Sequence, residues 1–201
     1  MNRIRFCAVV VVIGAAMCHV NTHAGETALL YVQQAPASWG DAHLNEKLFD
    51  RLSGRNGLSV ISLDSEVGAS VAPSKNTCDV PHAGVIASER GARYLALITN
   101  VRTELDTRKG LSIPILLSRY STVGTVSGTL RVIDARMNRM VYNRDFAVER
   151  KATERWQALE DDPVSGDIDL PAARKPLFFE ELEWAAAEWL ADEIARVARA
   201  K

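Results

Sequence analysis

The chain has few cysteines and no excess of basic charge. Its 201 residues include only Cys7, Cys18 and Cys78, and its 24 Lys and Arg residues are balanced by 25 Asp and Glu residues. Proteins that bind nucleic acid usually concentrate basic residues on one face, so we expect no nucleic-acid partner. Beyond the first 24 residues only Cys78 is present, so no disulfide within one copy of that part of the chain is expected.

The sequence also lacks the short motifs that carry common enzyme chemistry. It has no G-x-S-x-G, no P-loop and no G-x-G-x-x-G. Beyond the N-terminal segment its histidines are His43 and His82, too few with one cysteine for a zinc site. Cys78 and His82 flank one predicted loop, but a nucleophile and its base also need an orienting group. We therefore predict no enzyme activity, no cofactor and no metal, and a hydrolase is the least supported alternative.

The N-terminus has the pattern of an export signal. Arg3 and Arg5 precede a short apolar run, and the small residues around Ala24 follow it. This pattern predicts a signal peptide over residues 1–24, cleaved to leave a single domain over 25–201 in the periplasm. Removal of the two arginines leaves a net charge of about −3.

Cys18 offers a second interpretation of the same segment. A lipoprotein peptidase cuts before a cysteine that follows small residues, and lipidation there makes an outer-membrane lipoprotein. Met17 stands directly before Cys18, where such peptidases prefer Gly, Ala or Ser. Membrane attachment is expected only if Cys18 is lipidated.

Strands and helices alternate in the first half. Apolar runs at 26–33 and 58–63 have strand length, and leucines at helical spacing lie between them after Ser38, a candidate helix cap. This order predicts a β-α-β unit with parallel strands. Residues 64–81 are polar and contain Gly68 and Pro73, which predicts a surface loop, and a second helix then runs from Pro81 to Gly91.

The second half predicts three further strands and a long helix. A third strand follows Gly91, with Leu95, Leu97, Thr99 and Val101 expected on one face. Two more strands join at a turn in which Asn138 takes positive φ, and glycines in the first of them suggest a bulge or a close approach. The chain ends in a helix from about Pro176. Together these elements predict an α/β fold with α+β character: one mixed sheet of about five strands, parallel in its first half and antiparallel in its C-terminal hairpins, packed by three helices.

The segment between the third and fourth strands is unexpectedly apolar. A hairpin turn is normally polar, yet Leu111–Leu117 reads LSIPILL. It is either an apolar flap packed on the edge of the domain or a contact for another chain, and we favour the contact. The partner-binding residues predicted on this basis are Leu111, Ile113, Ile115, Leu116, Leu117 and the nearby Tyr120.

Two stretches carry a family resemblance, GVIASERGARYLALITNV and GTLRVIDARMNRMVYNRDF. They resemble periplasmic proteins related to the curli secretion-channel lipoprotein. That group includes lipoprotein activators of penicillin-binding proteins, an exopolysaccharide-export lipoprotein and the N-terminal domain of the translocation protein TolB. The resemblance covers most of the chain from about Ala28 to Arg199, and it implies a periplasmic binding or assembly module without catalysis.

Two functions remain in competition at this point. The first is an accessory or assembly protein that binds an envelope protein, or a second copy of itself, through the apolar flap. The second is a domain that binds a small molecule or glycan at the cleft outside the parallel strands. Tyr31, Trp39 and Asp64 would line that cleft.

Overall fold

The computed structural model describes residues 26–34, 43–55, 57–71, 78–113, 117–158 and 170–200. In these ranges the chain forms five strands and four helices. The strands are β1 (Glu26–Gln34), β2 (Leu58–Ser62), β3 (Tyr94–Ile113), β4 (Leu117–Asp134) and β5 (Arg139–Ala158). The helices are α1 (Leu44–Ser53), α2 (Ser65–Val71), α3 (Val80–Glu89) and α4 (Lys175–Arg199).

The strands form one mixed sheet in the order β2-β1-β3-β4-β5, as predicted. β1 pairs in parallel with both β2 and β3, and β4 pairs antiparallel with β3 and β5. The predicted fold class is therefore confirmed.

Helices cover the two faces of the sheet near the parallel strands. The larger core lies between the sheet and the helices α1 and α4, and it includes Leu48, Ile98 and Leu190. The smaller core lies on the opposite face, where α2 and α3 cover Leu29 and Leu97. We call this doubly covered part the base, which consists of the helices packed here and of β1, β2 and residues 94–101, 128–134 and 139–146.

One helix that the sequence does not predict is present, and one predicted helix begins at a different residue. α2 forms within residues 64–81, which the sequence predicts as a surface loop. The loop prediction is wrong there because Val71 and Gly68 are buried, so a short amphipathic turn of helix packs on the sheet despite polar neighbours. α1 begins only at Leu44 and has His43 as its N-cap, so Ser38 does not cap it and itself lies outside the described residues.

A bulge in β3 changes the predicted faces of that strand. Asn100 has a positive φ of 58°, and the β3–β4 register shifts between Thr99 and Arg102. Asn tolerates the left-handed region better than most residues. Val101 therefore packs into the core under α1 and α4, whereas Leu95 and Leu97 pack into the opposite core. The prediction that these residues share one face is wrong for Val101.

The predicted roles of several turn and strand residues are confirmed. Gly91 follows α3 with a φ of 66°, and Asn138 has a φ of 46° in the β4–β5 turn. The glycines of β4 do mark close approaches. A Cβ on Gly124 would lie 2.6 Å from Cε1 of Phe178 in α4, and one on Gly128 would lie 3.0 Å from the Phe146 ring. None of the described helices is long and apolar enough to span a membrane.

Candidate functional site

Three antiparallel strands continue beyond the base. The last pairing of β3 with β1 is at Val101, and from there β3 pairs only with β4 among the described strands. We call this part the distal sheet: residues 102–113, 117–127 and 147–158. At about 3.4 Å per residue, the strand from Leu105 to Ile113 extends roughly 25–30 Å.

The distal sheet ends in the segment that the sequence predicts as an apolar flap. In the described part of this segment, pairing of β3 with β4 continues to Ile113 and Leu117, so these residues extend the sheet. Contact of the segment with another chain stays a prediction. Leu111 also lies in β3, while Ile115 and Leu116 lie outside the described residues.

Tyr120, one of the residues predicted to bind a partner, has a buried side chain. Only 4% of the residue is exposed, and the Lys109 ammonium lies 5.7 Å from the centre of its ring. Tyr120 therefore helps to build the distal sheet, and its side chain is not exposed for contact with a partner.

One face of the distal sheet carries alternating charges. Arg102, Glu104, Asp106 and Arg108 are exposed on β3, with residues of half-buried or apolar character between them. The Arg108 guanidinium donates two hydrogen bonds to the Glu149 carboxylate, at 2.9 and 2.6 Å. These hydrogen bonds lower the pKa of Glu149 and raise that of Arg108.

The Arg108–Glu149 pair joins the two outer strands across the middle one. Val123 of β4 is opposite Asp106 on one side and Lys151 on the other, so Arg108 and Glu149 lie diagonally on either side of it. Val123 is only 7% exposed on this otherwise polar face. The ion pair therefore crosses β4 diagonally at the position of Val123. Glu154 also forms ion pairs with Arg119 and Lys151 further along this surface.

The opposite face of the distal sheet carries a row of three threonines. Thr107, Thr122 and Thr153 lie side by side on β3, β4 and β5, next to the row that contains Gly124. Thr122 is fully buried, and Oγ1 of Thr122 and of Thr153 has no hydrogen-bond partner. A buried hydroxyl without a partner costs stability, so this row is built less favourably than the apolar core of the base.

The alternative ligand site is not assembled as an open cleft around Tyr31. The Tyr31 ring packs against Gly68 of α2, and the residue is 6% exposed. Burial raises the pKa of its hydroxyl. Asp64 is exposed after β2, with one oxygen 4.0 Å from Arg90, and Trp39 lies outside the described residues.

Cys78 and His82 do not form a nucleophile–base pair in the described structure. The ring nitrogen Nε2 of His82 lies 3.4 Å from Oγ of Ser70. The backbone N–H of His82 donates to the carboxylate of Asp79, which caps α3. Cys78 packs against the smaller core, and burial raises the pKa of its thiol. A raised pKa disfavours the thiolate that a nucleophile requires. Among the described residues, no group of three or more His, Cys, Asp and Glu side chains is placed to bind a metal.

Comparison with known proteins shows a shared fold. No family model matches the chain, and no curated protein matches it. Among solved structures, a neuraminyllactose-binding hemagglutinin homolog from Helicobacter pylori matches with a TM-score of 0.51 and 9% identity, over 88% of this chain and 89% of that chain. At this identity the similarity concerns the fold alone.

Two further solved structures match at lower TM-scores. A hypothetical protein from Chlamydia trachomatis has a TM-score of 0.47 and 14% identity, over 88% of this chain and 99% of that chain. A minor lipoprotein from Acinetobacter baumannii has a TM-score of 0.44 and 12% identity, over 86% and 91%. The resemblance to the curli-related families remains a prediction.

Proposed function

We propose that this chain is a non-enzymatic accessory or assembly protein of the bacterial cell envelope. It binds another envelope component through the segment Leu111–Leu117 at the end of the distal sheet, which we call the tip. The observation that supports this proposal most strongly is the pairing of β3 and β4 out to Ile113 and Leu117. It places apolar sequence at the far end of a sheet whose nearer surface is charged.

The charge distribution supports the tip over the flat face. Asp106 and Arg108 lie on the flat face with 68% and 48% of their side chains exposed. Charged side chains are stable in water, so this face does not require a partner to bury it. The sequence from Leu111 to Leu117 contains no charge that would keep it in water. An apolar sequence at the end of a charged sheet is typical of a contact with another protein.

The N-terminal segment supports the compartment. Its pattern is that of an export signal, and the alternative of lipidation at Cys18 also leads to the envelope. The mass of the exported protein separates the two, because cleavage after Ala24 and lipidation of Cys18 give different masses.

Photocrosslinking in living cells tests the tip. A crosslinking amino acid at Ile115 or Leu116 is expected to capture one envelope protein, whereas the same group at the exposed Asp106 captures none. Ile113→Asp is expected to abolish capture from Leu116, while Asp106→Asn leaves it unchanged. No adduct from either tip position, or equal capture from Asp106, contradicts the proposal.

A glycan-binding function is the second candidate, motivated by the exposed Asp64 at the end of β2. The Helicobacter protein of similar fold is named for neuraminyllactose, which makes this sugar the first probe. A thermal shift with neuraminyllactose that is lost in Asp64→Ala but kept in Asp106→Asn would favour this candidate. The buried Tyr31 ring weighs against it.

A further inference from the structure

The two edges of the sheet differ in how they are protected. β5 is one edge, and along it lie many charged residues, among them Arg144, Asp145 and Lys151, together with a register shift opposite Val123. Charges and bulges of this kind prevent an edge strand from pairing with another chain.

β2 is the other edge, and it has none of these features. Its sequence from Leu58 to Ser62 is LSVIS, without charge or proline, and its register with β1 is uninterrupted. Among the described strands it pairs only with β1. Ile61 is 37% exposed on the face that α2 and α3 cover elsewhere. An edge of this kind can accept a further strand through the backbone groups on its outer side.

The charges that flank β2 select the direction of pairing. The basic Arg55 precedes the strand, and the acidic Asp64 and Glu66 follow it. Asp64 has 79% of its side chain exposed, and Arg55 has 30% while it contacts Asp192 of α4. A parallel neighbour would place like charges together at each end. An antiparallel copy of the same strand places Arg55 beside the acidic end of its partner, and does so twice.

We propose that β2 is the interface between two copies of this chain, which pair antiparallel about a two-fold axis at Val60. In this register Val60 faces its own copy, Ser59 faces Ile61, and Leu58 faces Ser62. Each face of the sheet continues into the same face of the second copy, so the two sheets form one sheet of about ten strands, a size that open sheets reach. The two distal sheets then lie at opposite ends of the dimer.

Single cysteines test the register. In a full chain whose Cys7, Cys18 and Cys78 are serine, Val60→Cys is expected to form an intermolecular disulfide on mild oxidation. Directly paired antiparallel residues have Cα atoms about 4.5–5.5 Å apart, within the range for a disulfide. Ser59→Cys and Ile61→Cys are each expected to crosslink poorly alone, since diagonal residues lie about 7–8 Å apart. A mixture of these two proteins is expected to crosslink well.

The matched control is Val85→Cys on α3, where the residue is 54% exposed and the helix packs on β3, β4 and β5. Crosslinking at Val85 as fast as at Val60 would mean random collision and would overturn the proposal. Preferred crosslinking at Ser59 or Ile61 alone would overturn the register.

The mass of the native protein tests the interface without cysteines. Light scattering or sedimentation from micromolar to the highest soluble concentration is expected to show a monomer–dimer equilibrium that weakens in high salt. Ile61→Lys places charge on the exposed edge and is expected to raise the dimer Kd about tenfold or more. Val85→Lys is expected to leave the dimer Kd unchanged.

A monomer at every concentration, or a dimer insensitive to Ile61→Lys with circular dichroism unchanged, would exclude the β2 interface. Capture by the distal tip does not depend on this result.

Discussion

The base and the distal sheet use charge in opposite ways. In the base, the ammonium of Lys47 in α1 lies 2.7 Å from a carboxylate oxygen of Glu183 in α4, and their side chains are 10% and 6% exposed. In the distal sheet, Arg108 and Glu149 form an ion pair with nearly half of each side chain in water. The first pair joins two helices at buried positions, whereas the second spans one strand on a surface exposed to water.

This difference indicates which region can change without loss of the fold. A buried charge depends on its partner, because no water replaces the partner when it is removed. Exposed ion pairs gain little, since water and salt already screen the charges. We therefore expect substitutions at buried positions, both in the base and where α4 packs on the distal sheet, to alter stability, and substitutions on the exposed charged face of the distal sheet to leave the fold largely unchanged.

The largest effect is expected for Glu183→Ala in the base. Removal of the carboxylate leaves the Lys47 ammonium buried, and breaking such a pair usually costs about 3–5 kcal/mol. Urea unfolding followed by circular dichroism measures the loss. The double variant Lys47→Met with Glu183→Leu is expected to recover most of the stability, because neither side chain then carries charge. A loss as small as that of an exposed pair would show that the interface is wet.

A smaller loss is expected where α4 crosses β4. Gly124→Val places its Cβ 2.6 Å from Phe178 Cε1 and 2.9 Å from Leu182 Cδ2, so α4 must move. Overpacking of this kind costs about 1–3 kcal/mol. The control is Gly110→Val, which lies further along the same distal sheet. There the nearest atom is the Arg119 carbonyl oxygen at 3.5 Å. Thermal unfolding should show the loss at Gly124 alone. Equal losses would mean that the effect comes from strand glycines in general.

Thr122→Val is expected to change stability in the opposite direction. The Thr122 hydroxyl is fully buried without a hydrogen-bond partner, and valine has nearly the same shape. Removing an unsatisfied hydroxyl is expected to raise the free energy of unfolding by about 1 kcal/mol. Thr125→Val on the exposed face is the control and should leave it nearly unchanged. Destabilisation by Thr122→Val would indicate that the hydroxyl binds ordered water.

These comparisons bear on what the sequence alone predicts. Apolar runs of strand length predicted the strands of the base, and apolar residues at helical spacing predicted the long C-terminal helix, because burial imposes both patterns. The glycines of β4 predicted a close approach, and α4 provides it at Gly124. Such features depend on local residue type, so the sequence alone predicts them.

Features that depend on long-range contacts were missed. α2 forms because Val71 and Gly68 pack on the sheet, which the polar composition of residues 64–81 does not reveal. The distal sheet continues to Ile113 because β4 and β5 pair alongside it. The alternating charges at Arg102, Glu104, Asp106 and Arg108 were the available signal for that continuation, since strict alternation is typical of a strand with one face in water.

The smallest effect concerns the exposed pair of the distal sheet and its dependence on pH. Because Arg108 lowers the pKa of Glu149 in the folded protein, the unfolded chain takes up this proton at higher pH than the folded chain does. The contribution of the pair is therefore complete above the ordinary glutamate pKa of about 4.3 and is lost as the pH falls through the lowered value. Glu149→Gln is expected to reduce the slope of stability with pH slightly in that window, with Glu104→Gln on the same face as control. A change that persists at neutral pH in high salt would show that the pair acts by packing over Val123 and not by charge, which would make the distal sheet more like the base than we infer.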